Sequence, residues 1–545
     1  MSTAPPPLRW WGWGDRDTAV PPGLRRLLRD ELGITPGPGA PSAPLAAVSL
    51  PVSALPEADS LLVEVRDICG AGSVHVDDQS RLRHSGGRGY LDLLRLRSGE
   101  IGSAPDAVVE PGSDAEVGAI LRACARAGCA VVPFGGGTSV VGGVAALRGS
   151  LRAVIVVSLR RFDRCLRVDG ASLTATLQAG MTGPQVEAAL ARHGLTLGHF
   201  PQSFEYATIG GFAATRSAGQ ASSSYGRFDD LVLGLRLVAP SGEITVAAHP
   251  GSAAGPSLRE LVLGSEGRLG VITEVTVKVR GRSSRPRYEG WMFATFEDGA
   301  AAMRSLAQGR VAPDVARLSD HDETRVVMAM AWRDGRVDRL GRRYLRFRHR
   351  ERGCLLIAGW DSDSLVAGAR HAEARALINR HGGIALGGAP GSSWLRQRYH
   401  APYLRDALMD AGVLVETVET ATSWSNLEHL HDAVATTLVH SLGGPRAALV
   451  GCHISHIYPS GASLYFTVLA RAGTNPGERW REAKAAACEA ILDSGGTITH
   501  HHAVGTDHLR YMAREIGDDG IAALRALARQ LDPTGIMNPG KLLPD

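Results

Sequence analysis

Lysine is nearly absent from this 545-residue sequence, because only Lys278, Lys484 and Lys541 occur and arginine supplies the rest of the 59 basic residues. The 55 acidic residues leave a formal net charge of +4, and the arginines are spread along the chain. A nucleic-acid-binding protein instead gathers its basic residues on one face. The composition therefore predicts no nucleic-acid partner. The densest basic run, RRYLRFRHRER at 342–352, is typical of an exposed helix face, with a contact to an anionic membrane surface as the alternative.

Long apolar runs are also missing. A membrane-spanning helix needs roughly 18 or more consecutive apolar residues, whereas the longest runs here, such as 153–159, have the length of a strand. The seven cysteines form no CxxC pair, which excludes a disulfide framework and a structural zinc site. The first residues, MSTAPPPLRWWGWGD, show no charged head followed by an apolar stretch. We expect a protein of the reducing cytoplasm.

Changes in composition and in hydrophobic periodicity divide the chain into four parts. Residues 1–100 form an N-terminal extension that is helical in places and rich in loops, with many prolines, glycines and alanines. Residues 101–282 and 283–495 each mix strand and helix patterns, and 496–545 form a C-terminal segment. The sequence therefore predicts an α+β fold.

A β-α-β unit opens the second part. An apolar strand at Val108 is followed by Ser113 as a helix N-cap, by helical periodicity up to Gly128, and by a buried strand over 130–134. The motif PFGGGTSVVGG at 133–143 follows directly. Its three successive glycines remove every Cβ, so that backbone N–H groups can approach an anion as a nest.

This glycine motif is too rich for an ordinary tight turn, which needs one or two glycines. The GxGxxG register of a Rossmann turn fails at Val140, and no GK[ST] sequence of a P-loop is present. The motif therefore predicts a dinucleotide bound without a Rossmann turn. Two further segments strengthen this prediction, QSFEYATIGGFAATRSAG at 202–219 and GSEGRLGVITEV at 264–275.

The three segments together resemble the FAD-binding domain of the vanillyl-alcohol-oxidase type of flavoproteins, and DPTGIMNPGK at 532–541 resembles their C-terminal segment, which returns to that domain. The resemblance implies an FAD-binding domain at 101–282 and a cap or substrate domain at 283–495. It implies non-covalent FAD, because no histidine or cysteine lies within the three motifs. The residues implied to hold FAD are Pro133, Phe134, Gly135, Gly136, Gly137, Thr138, Ser139, Gln202, Ser203, Ala207, Thr208, Gly210, Gly211, Thr215, Arg216, Ser217, Ala218, Glu266, Gly267, Leu269, Gly270, Val271 and Ile272.

Three consecutive histidines, His500, His501 and His502, follow a Gly-Gly turn. In an extended chain alternate residues point the same way, so His500 and His502 are expected to face one cleft and His501 the other side. A second pair, His453 and His456, lies in the sequence HISH. A surface run and a metal site are the alternatives. The metal site has no obvious carboxylate companion, and we predict no metal.

Two polar residues are further candidates. Tyr465 lies on the more polar face of a strand predicted over 463–469. Packing is the ordinary role of such a tyrosine, and acid/base catalysis requires a neighbouring cation that lowers its pKa from about 10. Arg405, in APYLRDALMD, falls on a predicted helix. It either pairs with an acid such as Asp406 or clamps a substrate phosphate or carboxylate.

Four motifs resemble the alkyl-dihydroxyacetone-phosphate synthases of ether-lipid synthesis: WWGWGD at 10–15, APYLRD with Arg405, HISHIYPSGASLYF with Tyr465, and GGTITHHHAVG with the triple histidine. The triple histidine is the most specific, because related hydroxy-acid dehydrogenases carry Glu-His-Gly there. The resemblance implies that Tyr465 is the acid/base, that Arg405 binds the substrate phosphate, and that the three histidines belong to the active site. It also marks Arg317, in DVARLSD, as an architectural arginine.

The implied reaction exchanges the acyl group of an acyl-dihydroxyacetone phosphate for a long-chain fatty alcohol, giving an ether-lipid precursor. Oxidised flavin N5 would trap the substrate as an adduct without net electron transfer. A homodimer and a peripheral membrane contact are further expectations, while the LLPD ending differs from a peroxisomal SKL signal. The alternative is a FAD-linked oxidoreductase acting on a 2-hydroxy acid or a related alcohol. The missing glutamate before the histidines counts against it.

Overall fold

The computed structural model describes residues 8–14, 18–35, 43–331, 335–361 and 365–544. Asp15 of WWGWGD, residues 36–42 of the proline-rich stretch and Asp545 of LLPD lie outside the described residues.

Local signals in the sequence set the helix ends. The Ser113 side chain accepts a hydrogen bond from the backbone N–H of Glu116, and Gly128 ends the same helix with φ +61°, as predicted. The α-helices within the described residues are α1 Pro22–Leu32, α2 Ser60–Cys69, α3 Asp78–Arg83, α4 Tyr90–Ser98, α5 Asp114–Ala127, α6 Gly183–Ala191, α7 Ile209–Ala214, α8 Ser222–Tyr225, α9 Phe228–Leu231, α10 Leu258–Val262, α11 Phe296–Gln308, α12 His321–Ala331, α13 Arg336–Phe347, α14 Leu365–Arg380, α15 Gly388–Gln397, α16 Ala401–Asp410, α17 Leu427–Ser441, α18 Pro476–Asp493 and α19 Met512–Leu531.

The strands follow the apolar runs and alternations of the sequence. Within the described residues they are β1 Val74–His75, β2 Ala107–Val109, β3 Cys129–Phe134, β4 Ala153–Ser158, β5 Cys165–Asp169, β6 Thr174–Gln178, β7 Leu195–Thr196, β8 Val232–Ala239, β9 Gly242–Val246, β10 Val271–Lys278, β11 Arg280–Gly281, β12 Arg287–Phe293, β13 Val315–Ser319, β14 Cys354–Trp360, β15 Ile384–Gly387, β16 Val413–Ser423, β17 Ala448–Ile457 and β18 Gly461–Arg471.

Two sheets in the first half of the described chain share one apolar core. A four-stranded sheet has the order β1-β2-β4-β3, and a five-stranded antiparallel sheet has the order β5-β6-β10-β8-β9. The predicted β-α-β unit is confirmed, because β2 and β3, joined by α5, both pair in parallel with β4. Val74 of β1 pairs with Val109 of β2, so this sheet crosses the domain boundary predicted at residue 100.

The C-terminal segment packs on the same core. The backbone N–H of Val131 donates to the carbonyl of Ile536 at 2.8 Å, and the N–H of Asn538 donates to the carbonyl of Val131 at 2.8 Å. Ile536 and Met537 are buried with the two sheets. The chain therefore closes its first sheet with residues that lie some 400 positions later in the sequence.

A seven-stranded sheet, with the order β15-β12-β14-β13-β17-β18-β16, dominates the second half of the described chain. Along β18, Leu464, Phe466 and Val468 are fully buried against helices such as α17 and α18. The alternate residues, including Tyr465, point to the opposite face, as the period of a strand requires. The predicted α+β fold is confirmed.

Helix α13 lies at the surface and contains the first part of the basic run, residues 342–347. Its Leu340 is 65% exposed and its Phe347 is 80% exposed, while Leu345 is buried. Among the described residues, no helix has both the length and the apolarity to cross a membrane.

Candidate active site

One cavity of about 380 Å³ lies between the glycine motifs and the seven-stranded sheet. Its first wall consists of residues from the first two glycine segments, and its second wall comes from β13, β16, β17, β18 and the histidine run. Of the predicted FAD residues, those that line it are Gly135, Gly136, Gly137, Thr138, Ser139, Gln202, Ser203, Ala207, Thr208, Gly211, Thr215, Ser217 and Ala218.

The glycine wall depends on the close approach of two backbones. A Cβ on Gly136 would stand 2.0 Å from the carbonyl oxygen of Tyr206, and one on Gly135 would stand 2.2 Å from Oγ1 of Thr208. Within the described part of the chain, the backbone N–H groups of 135–139 have no hydrogen-bond partner. A run of unpaired amides at a cavity wall suits an anionic group such as the diphosphate of a dinucleotide. These residues therefore fit FAD.

Other residues predicted to hold FAD do not line this cavity. They are Pro133, Phe134, Gly210, Arg216, Glu266, Gly267, Leu269, Gly270, Val271 and Ile272. Three of them, Leu269, Val271 and Ile272, are buried in the core that the first two sheets share. Arg216 turns away to pair with Asp229 at 3.0 Å and Glu260 at 3.1 Å.

Glu266 ties the third glycine segment to the C-terminal segment. Its carboxylate accepts hydrogen bonds from the backbone N–H groups of Val504 at 2.8 Å and Gly505 at 2.7 Å. The Asn538 side chain donates to the Glu266 carbonyl at 2.6 Å. Burial raises the pKa of Glu266 to about 7, against these hydrogen bonds, which lower it. The role of Glu266 is to hold the loop that follows the histidines.

The second wall is a ladder of three rungs across β16, β18 and β17. Strand register places Val415, Leu469 and Leu449 side by side, then Thr417, Thr467 and Gly451, then Glu419, Tyr465 and His453. Successive rungs are two residues apart, which is about 7 Å. The side chains of the cavity wall therefore change from apolar at the first rung to titratable at the third.

The three histidines are arranged around Glu419. Its buried carboxylate accepts the backbone N–H groups of His500 at 2.7 Å, His501 at 3.1 Å and His502 at 2.9 Å, and the hydroxyl of Thr499 at 2.6 Å. The expected pairing of His500 with His502 is wrong, because a backbone that wraps around one carboxylate is not extended. His501 and His502 line the cavity, whereas His500 Nε2 contacts the Tyr458 hydroxyl at 2.6 Å behind it.

Charge explains why this glutamate stays ionised. Burial alone would raise the pKa of Glu419, but the neighbouring His501, His502 and His500 together bring it well below its usual value. Burial lowers the pKa of His502 well below its usual value and that of His500 to about 3. The histidines of this cluster thus include neutral imidazoles next to a fixed negative charge.

Tyr465 stands between histidines from two directions. Its ring stacks on His453 of the neighbouring strand at a centroid distance of 4.8 Å, and on His501 at 5.8 Å on the side of Glu419. His502 meets it edge-on at 5.4 Å. Burial raises the pKa of Tyr465, so the phenol keeps its proton at neutral pH. Acid/base catalysis was expected to require a pKa below the ordinary value, and the neighbouring residues do not lower it that far.

Sequence reasoning missed the partner of His453. Glu323, near the start of α12, has an oxygen 2.8 Å from His453 Nδ1 and accepts from the Arg317 guanidinium at 2.9 Å. A Cβ on Gly451 would stand 2.7 Å from the Glu323 backbone nitrogen, so glycine lets the helix start lie against β17. Burial would raise the pKa of Glu323, yet His453 and Arg317 hold it at about 2.

Arg405 is buried and pairs with a second missed glutamate. Its guanidinium donates to Glu416 at 2.6 Å and 3.3 Å, and also to the carbonyl of Arg88 at 3.2 Å. It still lines the cavity. The next residue, Asp406, accepts the backbone N–H of Trp13 at 2.8 Å. The WWGWGD and APYLRD motifs are therefore one structural unit, and Trp13 is itself a cavity residue.

Beyond the first rung the cavity becomes apolar. Helices α1, α12 and α16 close it against the sheet. The apolar lining residues there are Leu24, Val326, Val327, Met330, Leu404, Leu408, Val415, Leu449 and Leu469. This extension can hold a hydrocarbon chain whose polar end lies at Tyr465 and the histidines.

A metal ion has one set of candidate ligands in the described part of the chain. Ring nitrogens of His456, His500 and His501 lie within 4.8 Å of one another. This group consists of imidazoles alone, and both ring nitrogens of His500 have partners. Nε2 contacts the Tyr458 hydroxyl at 2.6 Å, and Nδ1 contacts His501 Nδ1 at 3.0 Å. The absence of a metal stays a prediction.

Comparison with known proteins gives this arrangement a family. A family model described as FAD binding domain matches residues 105–248, and one described as FAD linked oxidases, C-terminal domain, matches residues 282–542. The chain is 30% identical to the alkyldihydroxyacetonephosphate synthase of Dictyostelium discoideum over 98% of this chain and 93% of that protein. The chain belongs to the alkyldihydroxyacetonephosphate synthase family. The synthase of Trypanosoma brucei brucei is also 30% identical, over 98% of this chain and 92% of its own length.

Solved structures agree with this family. One alkyldihydroxyacetonephosphate synthase structure superposes with a TM-score of 0.85 at 28% identity, covering 98% of this chain and 99% of its own. A p-cresol methylhydroxylase structure has a TM-score of 0.68 at 14% identity over 89% of this chain and 98% of its own, and shares the fold alone. The vanillyl-alcohol-oxidase-type fold is confirmed. The protein is a FAD-dependent enzyme of the synthase family.

Proposed function

We propose that this synthase-family enzyme replaces the acyl group of an acyl-dihydroxyacetone phosphate by a long-chain alcohol, giving an ether. One observation carries the proposal: a single cavity joins the unpaired amides of 135–139, the Tyr465 and histidine cluster, and an apolar extension. A cofactor cradle, acid/base groups and space for a hydrocarbon chain meet in one place. An oxidase of small hydroxy acids has no need of the apolar extension.

The cofactor and two side chains have separate roles in the proposed reaction. Bound FAD supplies an electrophilic centre that holds the substrate while its acyl group departs. His502, neutral because burial lowers its pKa, takes the proton from the substrate carbon and returns a proton to that carbon when the ether is formed. Tyr465, which retains its proton, donates a hydrogen bond to the substrate oxygen that gains negative charge.

Arg405 receives the substrate phosphate in this proposal. Its guanidinium is held by Glu416 before substrate arrives, so its remaining donors have a fixed direction. A phosphate bound there leaves the hydrocarbon end of the substrate directed to the apolar extension. The substrate then spans the cavity from Arg405 past Tyr465.

Product analysis tests the function. The purified flavoprotein is incubated anaerobically with palmitoyl-dihydroxyacetone phosphate and hexadecanol, and the ether and free palmitate are measured by mass spectrometry. We expect both products without an electron acceptor, and we expect Tyr465→Phe to keep FAD but lose turnover. Flavin reduction by a 2-hydroxy acid with no ether product would instead identify the oxidoreductase.

We also propose that helix α13 contacts a membrane surface. Leu340 and Phe347 of α13 are exposed seven residues apart, on one helix face. Arg343, between them, and Arg339, directly before Leu340, are also exposed. This surface suits an anionic lipid layer, which is where long-chain substrates reside. Sedimentation with phosphatidylserine vesicles tests it, with Leu340→Ser and Phe347→Ser expected to reduce binding. The predicted homodimer is tested by sedimentation velocity.

A further inference from the structure

One face of α12 runs along the apolar extension and ends at a carboxylate. Val326, Val327 and Met330 line the cavity, and Glu323 lies three, four and seven residues before them, on the same helix face. Glu323 and Met330 are about 10 Å apart along the helix axis. A hydrocarbon chain lying on this face has its polar head near Glu323 and His453.

The contact between Glu323 and His453 favours one tautomer of the imidazole. Nδ1 of His453 lies 2.8 Å from an ionised Glu323 oxygen and 3.1 Å from Nη2 of Arg317. Arg317 Nη2 donates to the same Glu323 oxygen at 2.9 Å, and a guanidinium hydrogen is bound more strongly by a carboxylate than by an imidazole. The shorter Glu323 contact therefore favours the tautomer in which Nδ1 carries the hydrogen and donates it. Nε2 then keeps its lone pair. Within the described residues Nε2 has no hydrogen-bond partner, and His453 lines the cavity. A buried imidazole held by a carboxylate, with its second nitrogen free at a cavity, has the arrangement of a general base.

Tyr465 separates this base from the other histidines. His453 lies on β17, on one side of Tyr465, whereas Glu419 lies on β16, on the other side, with His501 against it. The two sides thus offer two bases for two different protons. The apolar face of α12 leads to the His453 side.

Resting on the proposed function, we propose that His453, oriented by Glu323, takes the hydroxyl proton of the incoming alcohol. The alcohol O–H bond breaks and its proton passes to Nε2, while the alcohol oxygen forms a bond to the substrate carbon. The carbon–oxygen bond to the fatty acid has already broken in the first half of the reaction, before the alcohol reacts. The acid has left as a carboxylate with that electron pair, so the substrate carbon is electron-poor when the alcohol oxygen attacks it. The proton is later released to water, and no electron acceptor takes part. Glu323 is a positioning residue, and His453 is the catalytic residue.

Separating the two halves of the reaction tests this assignment. In single turnover, palmitate release is measured without alcohol, and ether formation is measured after hexadecanol is added. For Glu323→Gln and His453→Asn we expect palmitate release within about twofold of the unmodified enzyme and ether formation slowed about 100-fold or more. Flavin absorbance and thermal midpoint confirm that each variant is folded and loaded.

Asp322→Asn is the matched control, because Asp322 is the preceding residue of α12 and its side chain is 46% exposed. It should leave both halves unchanged. Equal loss of both halves in Glu323→Gln and His453→Asn, or undiminished ether formation in either, would overturn the assignment. If the unmodified enzyme releases no palmitate, the proposed function itself fails, and that outcome is distinct from a selective loss in the variants.

Discussion

The two walls of the cavity are built from different parts of the polypeptide. The glycine wall presents backbone amides of 135–139, and its side chains matter chiefly by being absent at Gly135 and Gly136. The sheet wall presents side chains, and three of its groups are each held by a buried glutamate: Arg405 by Glu416, His453 by Glu323, and the histidine run by Glu419.

This difference teaches what each wall can tolerate. A backbone wall fails when volume is added, because the segment packed against it has nowhere to move. A side-chain wall fails when charge is removed, because a buried imidazole or guanidinium then loses the partner that sets its direction and its protonation. We therefore expect the first wall to decide whether the cofactor binds, and the second to decide whether bound substrate reacts.

The largest effect should follow from adding one carbon to the glycine wall. In Gly136→Ala the new Cβ would stand 2.0 Å from the Tyr206 carbonyl oxygen and 3.0 Å from Ala207 Cα, so the two segments must separate. We expect purified Gly136→Ala to carry no bound FAD, as read from flavin absorbance. Gly170→Ala is the control, since a Cβ there meets no heavy atom within 4 Å. Normal flavin content in Gly136→Ala would contradict the cradle.

Removing one charge from the sheet wall should leave the cofactor and stop the chemistry. Glu419→Gln keeps the shape of the side chain but has only one acceptor oxygen. In the unmodified protein, two carboxylate oxygens accept hydrogen bonds from three backbone amides and a hydroxyl. We expect normal flavin content, a loss of turnover of about 100-fold or more, and a lower unfolding free energy by roughly 1–3 kcal/mol. Glu297→Gln, exposed on α11, is the control. Loss of FAD together with activity would contradict the assignment of cofactor binding to the glycine wall and of reaction to the sheet wall.

A smaller effect is expected at the phosphate position. Arg405→Lys keeps a positive charge beside Glu416 but loses the forked geometry. We expect KM for the acyl substrate to rise about tenfold, which is about 1.4 kcal/mol, with kcat changed less. Arg396→Lys, on the exposed surface of α15, serves as the control. An unchanged KM would place phosphate binding at another group.

The smallest effect on catalysis is expected at Glu266, which supports the glycine wall and where the change is one of stability. Its pKa of about 7 in the folded protein lies above its ordinary value of 4.5, so the folded state binds more protons between these values. Stability from this group is complete below pH 4.5 and is lost as pH rises through 7. Glu266→Gln should therefore gain roughly 2 kcal/mol relative to the unmodified protein between pH 5 and pH 7. Denaturant unfolding at both pH values measures this, and a constant difference would contradict it.

Sequence patterns predicted the glycine wall because its chemistry is local. The steric freedom of consecutive glycines, the Ser113 cap and the period-two face of Tyr465 each depend on residues a few positions apart. The sequence could not show which residues of a glycine segment line the cavity and which do not, as Gly210 and Arg216 illustrate. Such residues share a motif with cavity residues but differ from them only in tertiary position.

The sheet wall was less predictable because its partners are far apart in sequence. Glu419 and His500 are separated by 81 positions, and Glu323 and His453 by 130. A signal did exist, since Glu416 and Glu419 interrupt the apolar strand VLVETVETATS, and a charge in a buried strand needs a partner. The apolar extension gave no pattern of its own, because α1, α12, α16 and the sheet each contribute only a few residues.

The return of the C-terminal segment to the first sheet has a consequence for biosynthesis. Val131 receives Ile536 and Asn538 as neighbours, and the Asn538 side chain also donates to the Gly143 carbonyl at 3.1 Å. After the glycine motif has been synthesised, about 400 more residues must therefore follow before the C-terminal segment can pack beside it. At ribosomal speeds of roughly 5–20 residues per second this takes tens of seconds. We therefore expect FAD to bind late, after the C-terminal segment has been synthesised.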